Sequence, residues 1–282
     1  MLLRKVGLRG HPRQRACPAR RPCGQCNRPT CFYHPIAKPD VERLSREWDE
    51  LARGDALWEV LSDPDRRDGR WQLDDFFASG EREVGAALER ARELGRPERS
   101  GRALDFGCGV GRLTRALSAH FDQCIGVDVS EQMVEQARKL NADRPNVEFL
   151  VNVAPDLGAF ESGSFDLVFS SKVLQHMPSG NQAGAYIAEF LRLVGPGGIA
   201  VFQLWTSIPL RNRIQPRRRA YGLLRRAGVP DGRLNRMGLS PRGRGIAVRE
   251  ERVRLLAEER GFRVVHTEPD GEWGLRYYAV AA

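Results

Sequence analysis

No stretch of this chain constrains its fold more than Ala103–Thr114, ALDFGCGVGRLT. A short apolar run leads into three glycines, Gly107, Gly109 and Gly111, and a helical pattern follows at once. Glycines in that place permit a tight turn and let a ligand approach the backbone. The helix start beyond them offers unpaired N–H groups and the positive end of a dipole. The next apolar run, GVDVS, ends in an acid, Asp128. In doubly wound sheets an acid at that position receives ribose hydroxyls. Strand, glycine turn, helix, strand and acid together predict a site for an adenosine-type ligand.

The rest of the chain from Arg102 onward keeps the same alternation. Strands are expected at 103–107, 124–129, 147–151, 165–170, 199–205, 262–267 and 275–282. Helical patterns lie between them, one of them capped by Ser130. Repeated β–α alternation with near-continuous apolar strands implies a parallel sheet covered by helices on both faces. The last two strands leave no room for a helix between them, so one must run antiparallel. The expected fold is therefore α/β: a Rossmann-like, doubly wound, seven-stranded, mostly parallel sheet with one antiparallel strand. An N-terminal helical extension precedes it, where Leu44, Trp48 and Leu51 form one apolar stripe. The expected organisation is a leader at 1–38, the extension at 39–97, and a catalytic domain at 98–282 carrying a basic insertion at 206–245.

Charge narrows the choice of partners. Lys and Arg number 45 against 36 Asp and Glu, a net charge of +9. That balance points toward nucleic acid only if it is spread over the fold, and it is not. Residues 1–38 hold nine basic residues and no acid, and residues 206–245 hold eleven arginines against Asp231 alone. The remaining framework is acidic. No apolar run approaches the roughly 18 residues of a membrane span, so no membrane partner is expected.

ALDFGCGVGRLT, GVDVS, FDLVFSSKVLQHMP and LVGPGGIAVF, in this order and spacing, resemble the successive motifs of class I S-adenosylmethionine-dependent methyltransferases. The branch is similar to the quinone-biosynthesis, type 11 methyltransferase domains, and the likeness runs from about Arg102 to Ala282. It implies S-adenosyl-L-methionine as cofactor. Asp105 would lie near the methionine amino group, and Gly107, Gly109 and Gly111 would pack against the methionine and ribose portions. Asp128 would take the ribose hydroxyls, with Val129 and Met133 flanking the adenine. The family often has an adenine-binding acid after the third strand. Here Asn152 and Val153 stand there, so the Asn152 amide or backbone groups would read the base. Ser170, Ser171 and Lys172 would face the point of methyl transfer. His176 is the candidate catalytic base, set against a bland reading in which it only hydrogen-bonds backbone.

The implied activity is methyl transfer to a small organic acceptor, with oxygen favoured over nitrogen or carbon. Base- and glutamine-methylating enzymes place Asn/Asp-Pro-Pro-Tyr/Phe after the fourth strand, where this chain has Ser-Ser-Lys. Two alternatives stay open: an RNA methyltransferase using the basic segments, and an S-adenosylmethionine-binding protein without catalysis. Trp58, Trp71, Phe76 and Phe77 are candidate apolar walls of the site, weighed against simple packing of the extension. The insertion at 206–245 is read first as a solvated, arginine-rich lid and next as a reader of an anionic acceptor; nucleic acid comes last.

The leader has five prolines, no periodicity and no apolar stretch of secretory type, and is expected to be disordered and dispensable. Cys17, Cys23, Cys26, Cys31 and His34 could ligate zinc, but their spacing fits no standard finger, so no metal is expected. Without an export signal the cysteines should stay reduced in a cytoplasmic setting.

Overall fold

The computed structural model describes residues 38–208, 216–230, 233–234, 237, 239 and 245–282. The leader through residue 37, with its cysteines, and parts of the basic insertion lie outside the described residues. Among the described residues, no helix is long and apolar enough to cross a membrane.

The chain opens with α1 (Lys38–Val60), which is kinked at Asp55. There the Asp55 carboxylate accepts from Trp58 N at 3.2 Å and Gly69 N at 2.8 Å, so it caps the second half of the helix and anchors the following turn. The later part of the helical extension is one continuous helix, α2 (Leu73–Glu93). Gly80 does not break it. That glycine sits against the Arg112 backbone, where a Cβ would come within 2.6 Å of the carbonyl oxygen.

The sheet comprises β1 (Arg102–Phe106), β2 (Gln123–Asp128), β3 (Val147–Val151), β4 (Phe165–Ser170), β5 (Val194–Trp205), β6 (Phe262–Asp270) and β7 (Gly274–Ala281). Between them run α3 (Arg112–Leu117), α4 (Glu131–Leu140), α5 (Gly180–Leu193), α6 (Pro216–Arg226) and α7 (Glu250–Glu259). Spatial order is β3-β2-β1-β4-β5-β7-β6. The first five strands pair in parallel, and β7 runs antiparallel to both β5 and β6. This is the seven-stranded doubly wound sheet anticipated from the alternation. β5 starts five residues before the expected Ile199, because the Gly-Pro-Gly-Gly stretch stays in the ladder through a register shift opposite Phe165.

The reversal of strand order between β1 and β4 is the topological switch point, and it places a crevice at their carboxyl ends. Apolar layers cover both faces of the sheet. One is built on Leu104, Val168, Phe190, Phe202 and Tyr277, the other on Val84, Leu88, Leu117, Phe169 and Tyr278.

Candidate functional site

The crevice holds a cavity of about 390 Å³, within the range of small-molecule sites. Its floor is sheet-borne. Gly107 and Gly109 line it at positive φ, 75° and 53°, a region that L side chains avoid. A Cβ on either would drive into Val173 or Val60, so only glycine lets these elements close around the turn. Asp128, Val129 and Met133 line the same floor, as does Asn152.

Asp128 ends β2 with its carboxylate tied to the loops around it. Oδ2 accepts from Gly109 N and Oδ1 from Ser130 N, each at 2.9 Å. Burial pushes its carboxyl up, and those N–H groups oppose the shift. Each oxygen keeps a lone pair for a further donor such as a hydroxyl. Ser130 caps α4 by accepting from Met133 N, and Asp49 of α1 accepts from both Ser130 Oγ and Gln132 N. Asp49 thus docks the first helix onto the acid-bearing loop; sequence reading missed it.

Other expected contacts lie elsewhere. Gly111, at φ 84°, is the N-cap of α3 and packs beneath the turn, where a Cβ would meet Asn141 and Phe149 at 2.6 Å. Its absent side chain serves helix-on-sheet packing, and it does not line the cavity. Ser170 is buried and donates to Phe106 O at 3.1 Å, joining β4 to β1 behind the site. Val153 is 51% exposed and off the cavity. Asn152 lines the cavity, yet its side chain serves its own loop: Nδ2 donates to Asp156 O and Oδ1 accepts from Ala154 N.

Asp105 lies under the floor on β1, 1% exposed. Oδ2 accepts from Thr114 Oγ1 at 2.6 Å, and Oδ1 is buried with no partner among the described residues. Burial drives its carboxyl up to about 7, with Thr114 and Arg112 opposing. A buried acceptor without a donor is costly, and the cost is recovered when a ligand or water supplies one.

The opposite wall comes from α1, through Val41, Leu44, Trp48, Leu51 and Val60. The four aromatics expected as walls are not part of it. Trp58 Nε1 donates to Asp63 O, Trp71 Nε1 to Leu61 O, and Trp71, Phe76 and Phe77 pack edge to face, with Phe76 buried under α1 and α4. They fasten the extension together. No described residue of 206–245 lines the cavity either.

His176 faces the cavity from the one-turn helix Leu174–His176, its ring edge-on to Trp48 at 5.5 Å. No described residue hydrogen-bonds the ring. Burial holds its pKa down to about 4, so the imidazole is neutral at physiological pH with a lone pair to offer.

Ser171 and Lys172 line the cavity after β4, and both reach a residue that the motifs did not single out, Glu83 of α2. Glu83 also takes Arg112 Nη2 at 2.7 Å and Arg276 Nη2 at 3.4 Å. Burial alone would raise its carboxyl; Arg112 and Lys172, with the Ser171 hydroxyl, outweigh this and bring it to about 2. The only sequence signal for Glu83 was an acid on the inward face of α2 close to Val84, which a helical wheel does not distinguish from a solvent-facing one.

Comparison with known proteins follows the same lines. Residues 104–202 match a family model described as a methyltransferase domain. Over 105 residues the chain is 37% identical to a 2-methyl-6-phytyl-1,4-hydroquinone methyltransferase of Synechocystis sp., covering 37% of this chain and 32% of that protein. Over 98 residues it is 34% identical to a ubiquinone biosynthesis O-methyltransferase of Xanthomonas oryzae, covering 34% of this chain and 40% of that one. The chain thus spans less than half the length of these curated relatives. Among solved structures, a magnesium protoporphyrin IX methyltransferase from Synechocystis with bound S-adenosylhomocysteine superposes with a TM-score of 0.56 at 20% identity. That match covers 86% of this chain and 100% of that one, and it establishes a shared fold.

Proposed function

We propose, from the premise that residues 104–202 match a methyltransferase domain, that this chain is a class I methyltransferase that transfers a methyl group from S-adenosyl-L-methionine to a hydroxyl oxygen of a small organic acceptor. One observation carries the reading. A single cavity joins the glycine turn and Asp128 on one side to the neutral His176 ring, which no described residue hydrogen-bonds, on the other. The similar ubiquinone biosynthesis enzyme is an O-methyltransferase, which supports oxygen.

The residues present fit the cofactor. Asp105 Oδ1 is an unsatisfied buried acceptor suited to an ammonium group, and Gly107 and Gly109 leave the floor without side chains. Asp128 has lone pairs for two ribose hydroxyls, with Val129 and Met133 as apolar flanks of the adenine. We assign the base-reading role after β3 to backbone groups, since the Asn152 amide is engaged and Val153 is off the cavity.

Bound there, S-adenosylmethionine supplies an electrophilic methyl group on a sulfonium centre. The chain's own contribution is positioning and exclusion of water. Trp48, Leu44 and Leu51 of α1 form an apolar wall that orients the acceptor. His176 accepts the hydroxyl proton; its low pKa keeps the ring unprotonated across neutral pH. The acceptor is small and need not be anionic, because the arginines of 206–245 that are described stand off the cavity. We place the reaction in the cytoplasm, a setting in keeping with two buried free thiols, Cys108 and Cys124.

Calorimetry with S-adenosylhomocysteine tests the cofactor half. Asp128→Ala should weaken binding by about 1.5–3 kcal/mol through lost hydrogen bonds to a charged acceptor. Failure of the wild-type chain to bind would end the reading. A panel of phenols and aliphatic alcohols tests the other half. With an acceptor found, His176→Ala should lower kcat by about 10²–10⁴ with cofactor affinity unchanged. Full activity in that variant would remove His176 as base.

A further inference from the structure

Two cations reach the cavity beside the glycine turn, and both are held by one largely buried carboxylate, Glu83. Lys172 lines the cavity with its backbone at φ 61°, in the left-handed region that only a few per cent of non-glycine residues occupy. Its N–H donates to the Gln203 side chain at 3.2 Å, which fixes that conformation. Residues held in strained conformations cluster at functional sites. Here the side chain explains why glycine is not used: Lys172 Nζ reaches Glu83 at 3.1 Å and retains two N–H donors without acceptors among the described residues. Arg112 lines the same cavity at 2% exposure. Its Nη atoms go to Glu83 and Ser79, and its Nε–H is buried with no acceptor among the described residues.

Lys172 and Arg112 share the Glu83 carboxylate, while Arg276 is matched by Asp270 at 2.6 Å; Arg112 also favours the ionised form of Asp105. The third cation lining the cavity, Arg43, is spent on Asp40 at 2.6 Å and Glu47 at 3.9 Å. The end of the cavity near Ser171 is therefore cationic, with N–H donors on Lys172 and Arg112 that no described residue fills. Asp105, below the same turn, is an unfilled acceptor. A positive donor cluster and a buried acceptor flanking one glycine turn are complementary to a zwitterion, an ammonium and a carboxylate on one carbon.

We propose that Lys172, assisted by Arg112, binds the carboxylate of the cofactor's amino-acid tail, and that Glu83 is the positioning residue that presents both cations. The inference rests on the cofactor reading above. It adds a role for α2, which lies outside the matched domain.

The test compares two ligands that share the nucleoside and the thioether. S-adenosylhomocysteine carries the amino-acid tail, and 5′-methylthioadenosine does not. Lys172 is 39% exposed, so Lys172→Met should fold normally. In calorimetry it should lose about tenfold or more in affinity for S-adenosylhomocysteine, with 5′-methylthioadenosine unchanged. Lys172→Arg should recover much of the loss. Glu83→Gln, if folded, should show the same selective loss in milder form. Equal weakening of both ligands would show a structural role and overturn the proposal. So would unchanged affinity for both, including the case in which only the acceptor's KM rises. If the wild type binds neither ligand, the cofactor reading itself has failed, a separate result.

Discussion

Two carboxylates within reach of Arg112, one buried and one largely buried, have opposite fates. Asp105, on β1, has one hydrogen bond and one empty oxygen, and burial lifts it to about 7. Glu83, on α2, has Arg112, Lys172, Arg276 and Ser171 around it and sits at about 2. Both are removed from water, so burial alone does not separate them. What separates them is saturation. A saturated buried charge holds the fold and its neighbours in place, whereas an unsaturated one costs stability until a ligand completes it.

The largest effect should follow from removing the saturated member. Glu83→Ala leaves the buried Arg112 guanidinium with Ser79 as its remaining side-chain hydrogen-bond partner among the described residues, and should cost about 3–5 kcal/mol of unfolding free energy in urea titration. A loss under 1 kcal/mol would mean that the cluster is solvated and that the contrast with Asp105 does not hold.

These two regions also differ in how far the sequence discloses them. Asp105, Gly107, Gly109 and Asp128 sit at fixed offsets in a strand–turn–helix–strand run, where covalent spacing alone brings them together. Glu83 meets Lys172 and Arg276 across 89 and 193 residues. No local pattern encodes such a meeting, because it depends on how α2 docks on the sheet. The same reason explains why Trp48 lines the cavity while Trp58 and Trp71 do not. Trp48 faces the cavity from the first half of α1, whereas the indoles of Trp58 and Trp71 donate to Asp63 O and Leu61 O within the extension, contacts that depend on how its segments fold together. Gly111 shows a subtler gap: its motif position is legible in the sequence, but that its missing side chain makes room for Phe149 depends on how β3 packs beneath the turn.

Asp105→Asn should behave in the opposite way. Folding stability near pH 8 should be unchanged or higher, because no buried charge remains to be formed. Affinity for S-adenosylhomocysteine should fall by about 1.5–3 kcal/mol. The two acids also predict opposite pH trends. The Asp105 pKa is raised on folding, so the native state holds its proton longer, and this group's contribution to stability declines as pH climbs from about 4 to about 7. The Glu83 pKa is lowered, so its contribution is complete above about 4.5 and is lost as pH falls toward about 2. Asp105→Asn should abolish the first slope and leave the second. It should also flatten any tightening of cofactor binding between pH 6 and 8, since an ammonium prefers the ionised carboxylate. Parallel pH–stability curves for variant and wild type would contradict the assignment.

The smallest effect tests whether saturation, rather than position on the cavity wall, is the governing variable. Asn152 lines the cavity as Asp128 does, but its amide is engaged at both ends by the loop, through Asp156 O at 2.9 Å and Ala154 N at 3.2 Å. By the saturation argument it belongs with Glu83 despite its location. Asn152→Ala should lower stability by about 0.5–1.5 kcal/mol per hydrogen bond removed, and change affinity for S-adenosylhomocysteine by less than about threefold, since a threefold change is under 1 kcal/mol. A tenfold loss of affinity at full stability would show that the amide leaves its loop to read the adenine. Position would then outrank saturation in this half of the site, and the division between Asp105 and Glu83 would apply only to charged groups.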